Sequence, residues 1–520
     1  MRAAARLGRC TASAVGAWIA LAAVARAQTI DTIVVESANV FDDAERNVAA
    51  RWANALHITT SPWVIRRAIL ERPGEPYDSA RAAESARNLR ALGVFRTATI
   101  DTTRVDDRLA LRVRTADGWS SKPIAAITST DGSTAWILGF REENLIGSAT
   151  TLSFAYRRTP DRDGYEMEFV NPQFVTRGLL VDLRYRRFSD GRRAQWAGGK
   201  PFREGRSAWS AVTYGVDGRE RMLVYRDGLL DASYRRTQAI VGARGGVALK
   251  TGSRGFVRAW MDGMWRREDY TADTASVTPR STFATVGLGV EAARLRLTVI
   301  RHWNSFGRPE DVDLSTVLRL GVWLAPRAFG YPDSSAGAGP EVAAQIGFPW
   351  SGGFGVLRAA GRGIIGPAGL DSGRASASLL LATQALPRQT LVFFVEGAAA
   401  ANPAPGGEYD LWLLERGPRL FGVHAFSGTR FAWGTAESRV VITPEWLGVV
   451  GLGVAPFVDY GGAWYADQTP RTGGNAGLAL RFGSTRSVGG GTFELAGGYR
   501  FGEGFVGGPW AATFRSGLRF

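Results

Sequence analysis

From Pro123 to the end of the chain, over roughly 400 residues, apolar and polar side chains alternate with a period of two, the mark of strands with one apolar face. In "LLVDLRYRRF", Leu179, Val181, Leu183 and Tyr185 fall on one face; Asp182, Arg184 and Arg186 fall on the other. In "FVRAWMDGMW", Val257, Ala259 and Met261 alternate with Arg258, Trp260 and Asp262. In "GTFELAGGYRF", Phe493, Leu495, Tyr499 and Phe501 alternate with Glu494, Ala496 and Arg500. Turns rich in Gly, Asp and Pro separate such segments, and no long helical stripe interrupts them. A sheet of this kind must hide its apolar face. A soluble sandwich or propeller would do so against further sheets, yet no helical layer or domain break divides the run. A closed barrel in lipid meets the same need. Every backbone group pairs between strands, apolar faces meet lipid, and arginine faces meet a wet lumen. Tyr and Trp recur near segment ends, where interfacial girdles belong. The pattern therefore points to an all-β transmembrane barrel of antiparallel strands.

The opening of the chain suits an exported protein. Arg2, Arg6 and Arg9 precede an alanine-rich apolar run from Ala12 to Val24, and Ala25-Arg26-Ala27 places small residues where a signal peptidase reads them. Residues 1–27 are expected to be a signal peptide. Cys10, the one cysteine, lies inside it, so the mature chain offers no disulfide and no thiolate metal site. The net charge of +15 is almost all arginine, since Lys122, Lys200 and Lys250 are the only lysines. No basic block carries a nucleic-acid reading module.

Residues 28–120 read differently, as a small α/β unit. Ile33-Val34-Val35 suits a first strand. Ser61-Pro62 opens a helix running to about Leu70 as N-cap and first-turn proline. Asp78 caps a second helix in which Ala82, Ala86, Leu89 and Leu92 share a face, and Gly93 stands where a left-handed residue ends it. Strands near Phe95–Asp101 and Leu109–Thr115 follow. The expected order is strand, helix, helix, strand, strand.

Enzyme chemistry is hard to find. His57, His302 and His424 are far apart, and neither Gly-x-Ser-x-Gly nor His-Glu-x-x-His occurs. "GLGV" at 287–290 and 451–454 opens no helix. No enzyme activity, catalytic residue, metal or cofactor is expected.

Three stretches carry a family resemblance. "GEPYDSARAAESARNLRALGVFRTATI" (Gly74 to Ile100) has a Gly-x-x-Tyr start, an Asn-Leu-Arg and a Leu-Gly-x-Phe. "FREENLIGSATTLSFAY" from Phe140 has a Glu-x-Asn-Leu-x-Gly, and "SFGRPEDVDLS" spans Ser305 to Ser315. In this order they resemble the BamA/TamA-type outer-membrane barrels of the bacterial surface antigen superfamily, with residues 28–120 as one POTRA-like periplasmic domain and 121–520 as the barrel. The resemblance implies about 16 strands, a common barrel size. It places the first near Ala149–Tyr156 and the seam between that strand and the last, Trp510–Phe520.

The resemblance also gives "FVDYGGAW" (Phe457 to Trp464) a meaning. Phe457, Asp459 and Gly461 match a lumen-facing Phe-x-Asp-x-Gly motif, and the preceding strand carries Glu437 and Arg439. In the family, the arginine of an Arg-Gly-aromatic motif on a long outer loop folds into the lumen and meets such acids. Residues 401–430 form a long irregular segment in the right place, but Arg416-Gly417 is followed by Pro418. Either Arg416 or Arg419 is the implied latch, Arg416 being preferred. In "WAATFRSGLRF", Trp510, Phe514, Leu518 and Phe520 share one face, and this last strand is expected to be the segment the insertion machinery recognises. The implied function is to assist insertion or translocation of other polypeptides by strand augmentation. The implied partners are outer-membrane lipids, unfolded clients, and periplasmic or lipoprotein accessory factors; client-binding residues stay unassigned. An anion-favouring pore or structural barrel, suited by Arg184, Arg186, Arg258, Arg500, Arg515 and Arg519, is the alternative.

Overall fold

A computed structural model describes residues 28–41, 48–272, 280–331, 336–367, 369–412, 416–489 and 492–516. The leader at 1–27 and the positions Leu518, Arg519 and Phe520 lie outside the described residues.

Three strands, β1 (Thr32–Ala38), β2 (Phe95–Val105) and β3 (Arg108–Asp117), form a small sheet in the order β1-β3-β2. β1 runs parallel to β3 and β2 antiparallel to it. Between β1 and β2 come α1 (Val48–Leu56), α2 (Pro62–Ala68) and α3 (Ser79–Ala91), one short helix more than the sequence pattern indicates. Asp78 caps α3 by accepting the N–H groups of Ala80 at 2.9 Å and Arg81 at 3.3 Å, which satisfies donors the helix leaves open. Ser61 stands at the N-cap of α2, but its side chain makes no capping bond. Gly93 leaves α3 at φ +75°. Ile30, Ile65, Leu89, Phe95, Leu111 and Val113 form the centre of this unit's core.

β4 (Ser121–Thr130) opens a closed barrel of twenty strands. Five shorter strands follow: β5 (Ser133–Glu142), β6 (Thr151–Arg158), β7 (Asp163–Asn171), β8 (Leu180–Phe188) and β9 (Gly191–Lys200). Next come β10 (Trp209–Arg226), β11 (Leu229–Lys250), β12 (Gly255–Ala272) and β13 (Arg280–Arg294). A hairpin outside the barrel sheet, β14 (Leu297–Ile300) and β15 (Glu310–Asp313), interrupts the succession. The wall resumes with β16 (Thr316–Ala325), β17 (Gly337–Trp350), β18 (Gly353–Gly366), β19 (Gly369–Thr383) and β20 (Gln389–Ala401). A second small pair, β21 (Tyr409–Leu411) and β22 (Phe426–Gly428), precedes β23 (Arg430–Trp446). The wall ends with β24 (Val450–Trp464), β25 (Gly473–Ser484), β26 (Thr492–Gly502) and β27 (Trp510–Ser516), which pairs with β4.

The strand number corrects the expectation of about 16. β4 and β5 precede the segment near Ala149–Tyr156, so the seam joins β27 to β4 and not to that segment, which belongs to β6. Alternation reports faces, not strand number. A two-residue turn such as Asp131-Gly132, with φ +55° and +78°, barely interrupts it.

Apolar faces point outward, as the alternation requires. On β12, Met261 is 62% exposed, whereas Asp262 on the lumen face is 2% exposed. Phe514 stacks with Phe493 at 5.8 Å on the outer face, and Phe493 with Phe482 at 5.5 Å, an aromatic row across β25–β27. Among the described residues no helix is long and apolar enough to cross a membrane. A closed wall with an apolar outer face is the other form that lipid accepts. The small unit sits under the lower end of the barrel, where β4 begins and β27 ends. There Asn144 donates to the Ile58 carbonyl at 3.2 Å, and the Gly205 N–H donates to Glu84 at 3.0 Å.

Candidate functional site: a lumen filled from both ends

The segment between β20 and β23 folds inward from the upper end as a strap. It carries Leu411, Leu420, Phe421 and Phe426, all fully buried, and such side chains on an irregular segment need apolar cover. The wall supplies it. Leu411, Phe421 and Phe426 pack with Phe394, Phe431, Trp433 and Ala463. Leu420 packs with Ala455, Phe457, Ala479 and Ala496. Small wall residues leave the needed room: a Cβ on Gly461 would lie 2.4 Å from Cβ of Trp433, and one on Gly477 would lie 2.9 Å from the Phe457 ring.

Arg419 is the centre of the arrangement and is fully buried. Its Nε donates to Asp459 Oδ2 at 2.9 Å and its Nη2 to Asp459 Oδ1 at 3.1 Å, while its own backbone N–H donates to Oδ2 at 3.0 Å. Nη2 also reaches Glu437 Oε2 at 2.8 Å and Thr435 Oγ1 at 3.3 Å, and Nη1 reaches Glu494 at 3.4 Å. The guanidinium lies over the Phe457 ring at 3.7 Å. A buried fork is tolerable only when its donors and its charge are met in this way. Arg439 donates to Glu437 at 2.6 Å, Arg515 forms an ion pair with Glu494 at 3.4 Å, and Arg481 lies opposite Glu494. Four guanidinium groups thus face the three carboxylates Asp459, Glu437 and Glu494.

The sequence reading preferred Arg416, and the structure corrects it. Arg416 is 45% exposed in its side chain and pairs with Glu396 on β20 at 2.8 Å. The Arg-Gly match favoured it, but the residue after Pro418 is the one that reaches the acids. Phe457, Asp459 and Gly461 lie inside, while Val458 and Tyr460 are exposed outside. Glu437 pairs across with Phe457 in register, and the ladder becomes irregular only beyond Val441.

Glu494, Arg481 and Arg515 were missed as members. The alternation of "GTFELAGGYRF" already puts Glu494 on the lumen face, but its partners need the register of β25, β26 and β27. A second lumen insertion was missed altogether. The stretch that holds Ser305–Ser315 enters from the lower end. Trp303, Phe306 and Leu314 are buried, and Trp303 meets Phe354 edge-on at 5.2 Å. Glu310 shapes the turn by accepting the N–H groups of Asn304 at 2.8 Å and Ser305 at 3.1 Å. Arg439 Nη1 donates to the Trp303 carbonyl and to Asn304 Oδ1, both at 3.0 Å. The two insertions meet at Glu437, which offers Oε2 to Arg419 and Oε1 to Arg439. Below, Arg90 of α3 clamps Asp311 of β15 at 2.6 and 2.9 Å.

Nearer the upper rim the strap is pinned again. His424 Nε2 lies 2.7 Å from Asp161 and Nδ1 lies 2.9 Å from Asp410, with the ring stacked on Tyr225 at 3.5 Å. Burial alone would lower its pKa; the neighbouring Asp161 and Asp410 carboxylates outweigh burial and hold the imidazole up at about 9. Among the described residues no group of three His, Cys, Asp or Glu is placed to hold a metal.

No family model and no curated protein matches the chain. Solved structures do. The BamA of Haemophilus ducreyi lacking POTRA domains 1–3 is similar at 12% identity and a TM-score of 0.40, covering 93% of this chain and 84% of that one. CdiB from Escherichia coli is similar at 11% identity and 0.47, covering 95% and 90%. CdiB from Acinetobacter baumannii is similar at 10% and 0.42, covering 95% and 74%.

Proposed function

We infer that this chain is an outer-membrane barrel of the BamA/TamA type, which assists insertion or translocation of other polypeptides by pairing with them along its seam. Residues 1–27 would export it, and residues 28–120 would be a POTRA-like domain in the periplasm, where accessory factors and unfolded clients meet it. The carrying observation is where a wall with a filled lumen closes. β27 meets β4 at Thr513–Thr128, Phe514–Ile127 and Arg515–Ala126, which joins the last strand of the wall to the first with no hairpin between them. Such a joint can part sideways without unmaking a turn, and an extended client can add to the freed edges. In the small sheet, β1 and β2 are outer strands with the same capacity. The client's own folding drives the process, so no nucleotide, cofactor or catalytic residue is assigned.

Depleting the protein in its native host and quantifying the outer-membrane proteome tests this. Broad loss of other barrels marks an assembly factor, and loss of one surface protein marks a dedicated exporter. An unchanged proteome overturns the reading. A Thr128→Cys/Thr513→Cys pair that locks the seam should reproduce the depletion, and reductant should reverse it.

The anion pore keeps one supporting observation. Arg358, Arg362 and Arg374 are exposed on the lumen face of β18 and β19. Three other lumen arginines are neutralised: Arg184 pairs with Glu168 and Asp182, Arg500 with Asp131, Arg515 with Glu494. Anion over cation selectivity in a planar bilayer would favour the pore.

A further inference from the structure

The small unit carries an apolar face that its own core does not use. Trp52 and Leu56 on α1, Ile58 beyond it and Trp63 on α2 are exposed, Leu56 by 73%. This face continues onto the barrel's lower turns. Ile58 lies against Gly147, beside Ile146. Arg67 stacks on Trp63 at 4.3 Å and donates to the Gln173 carbonyl at 3.2 Å, beside Phe174 and Val175. Ile146 and Val175 are 73% and 66% exposed, and both occupy left-handed backbone, at φ +49° and +60°. β-branched residues avoid that region, and in water an apolar tip gains nothing from it. The same two turns join the strands whose outer faces carry the exposed Phe140, Leu152 and Leu183. The apolar surface therefore runs from the lipid belt of β5–β8 over two turns to α1 and α2. Arg51 and Arg66 are exposed beside it, as cations at a headgroup layer would be.

We propose that α1, α2 and the turns after β5 and β7 form a lipid-binding platform, which seats the small unit in the leaflet on its own side of the bilayer. The occupant is lipid because the face is continuous with the barrel's lipid-facing surface and edged by arginine. Seating fixes the angle at which β1 and β2 are presented below the barrel. The proposal rests on the barrel spanning a bilayer, not on client insertion.

The test uses the full chain in a Cys10→Ser background, reconstituted in phosphatidylethanolamine and phosphatidylglycerol. Nitroxide labels go singly at Leu56→Cys, Ile146→Cys, Leu138→Cys on the outer face of β5, and Val105→Cys at the far end of β2. Accessibility to oxygen and to a water-soluble nickel complex is read from each. Oxygen should dominate at Leu138, Leu56 and Ile146, the latter two at about 5–10 Å depth, and nickel at Val105. Nickel dominating at Leu56 and Ile146 while oxygen dominates at Leu138 overturns the platform alone. Nickel dominating at Leu138 as well overturns the membrane barrel, and the platform with it.

Discussion

The strap and the lower insertion both fill the lumen, but by different chemistry. The strap is held by a fully buried side-chain charge, Arg419 among Asp459, Glu437 and Glu494. The lower insertion presents backbone and amide oxygens of Trp303 and Asn304 to Arg439, which belongs to the wall. Removing Arg419 takes from Asp459, Glu437 and Glu494 the one cation they share. Removing a side chain from the lower insertion leaves most of its backbone acceptors in place. The difference teaches that the strap is the more switch-like of the two, because a single side-chain charge ties it to β23, β24 and β26 at once.

That comparison can be broken or sharpened by substitution. Arg419→Ala should have the largest effect, about 3–5 kcal/mol, the usual result of stripping one partner from a buried ion pair. A thiol at Leu420 would then react with an impermeant maleimide that the parent protein excludes. Glu437→Gln and Asp459→Asn should each weaken the strap by about 1.5–3 kcal/mol, the range for hydrogen bonds to charged groups. They should differ in reach: Glu437→Gln also exposes a thiol at Trp303, and Asp459→Asn does not. Equal labelling at Trp303 in both would remove Glu437 as the joint.

The pin at His424 should give the strap a pH dependence. Its folded pKa, about 9, lies above the ordinary value of 6.5, so its stabilisation is complete below about 6.5 and is lost as pH rises through about 9. Labelling at Leu420 should accelerate between pH 7 and 10, and His424→Gln should flatten that rise. Arg416→Ala should have the smallest effect, at most about 1 kcal/mol, because solvent screens its half-exposed pair with Glu396.

Much of the wall was legible because a period of two survives any register. Phe457, Asp459 and Gly461 share one face on that ground, the resemblance makes that face the lumen's, and Asp78 and Gly93 bound α3 by local chemistry. What failed needs distance information. Strand number depends on turns as short as Asp131-Gly132. The choice between Arg416 and Arg419 depends on how an irregular strap turns after Gly417 and Pro418. Glu494 joins the cluster only through the register of β24 to β27. The lower insertion was hidden because Trp303 and Phe306 sit in a segment without periodicity, whose burial is decided by Phe354 and Arg439 from elsewhere in the chain.

The most direct measurement is ion conductance in planar bilayers, comparing the parent protein with Arg419→Ala, Arg439→Ala, which removes the wall donor to Trp303 and Asn304, and the double variant. A lumen filled from both ends predicts a silent parent and a conducting double variant, with each single variant well below the double. A parent that conducts as an open twenty-stranded barrel, or a folded double variant that stays silent, would contradict it.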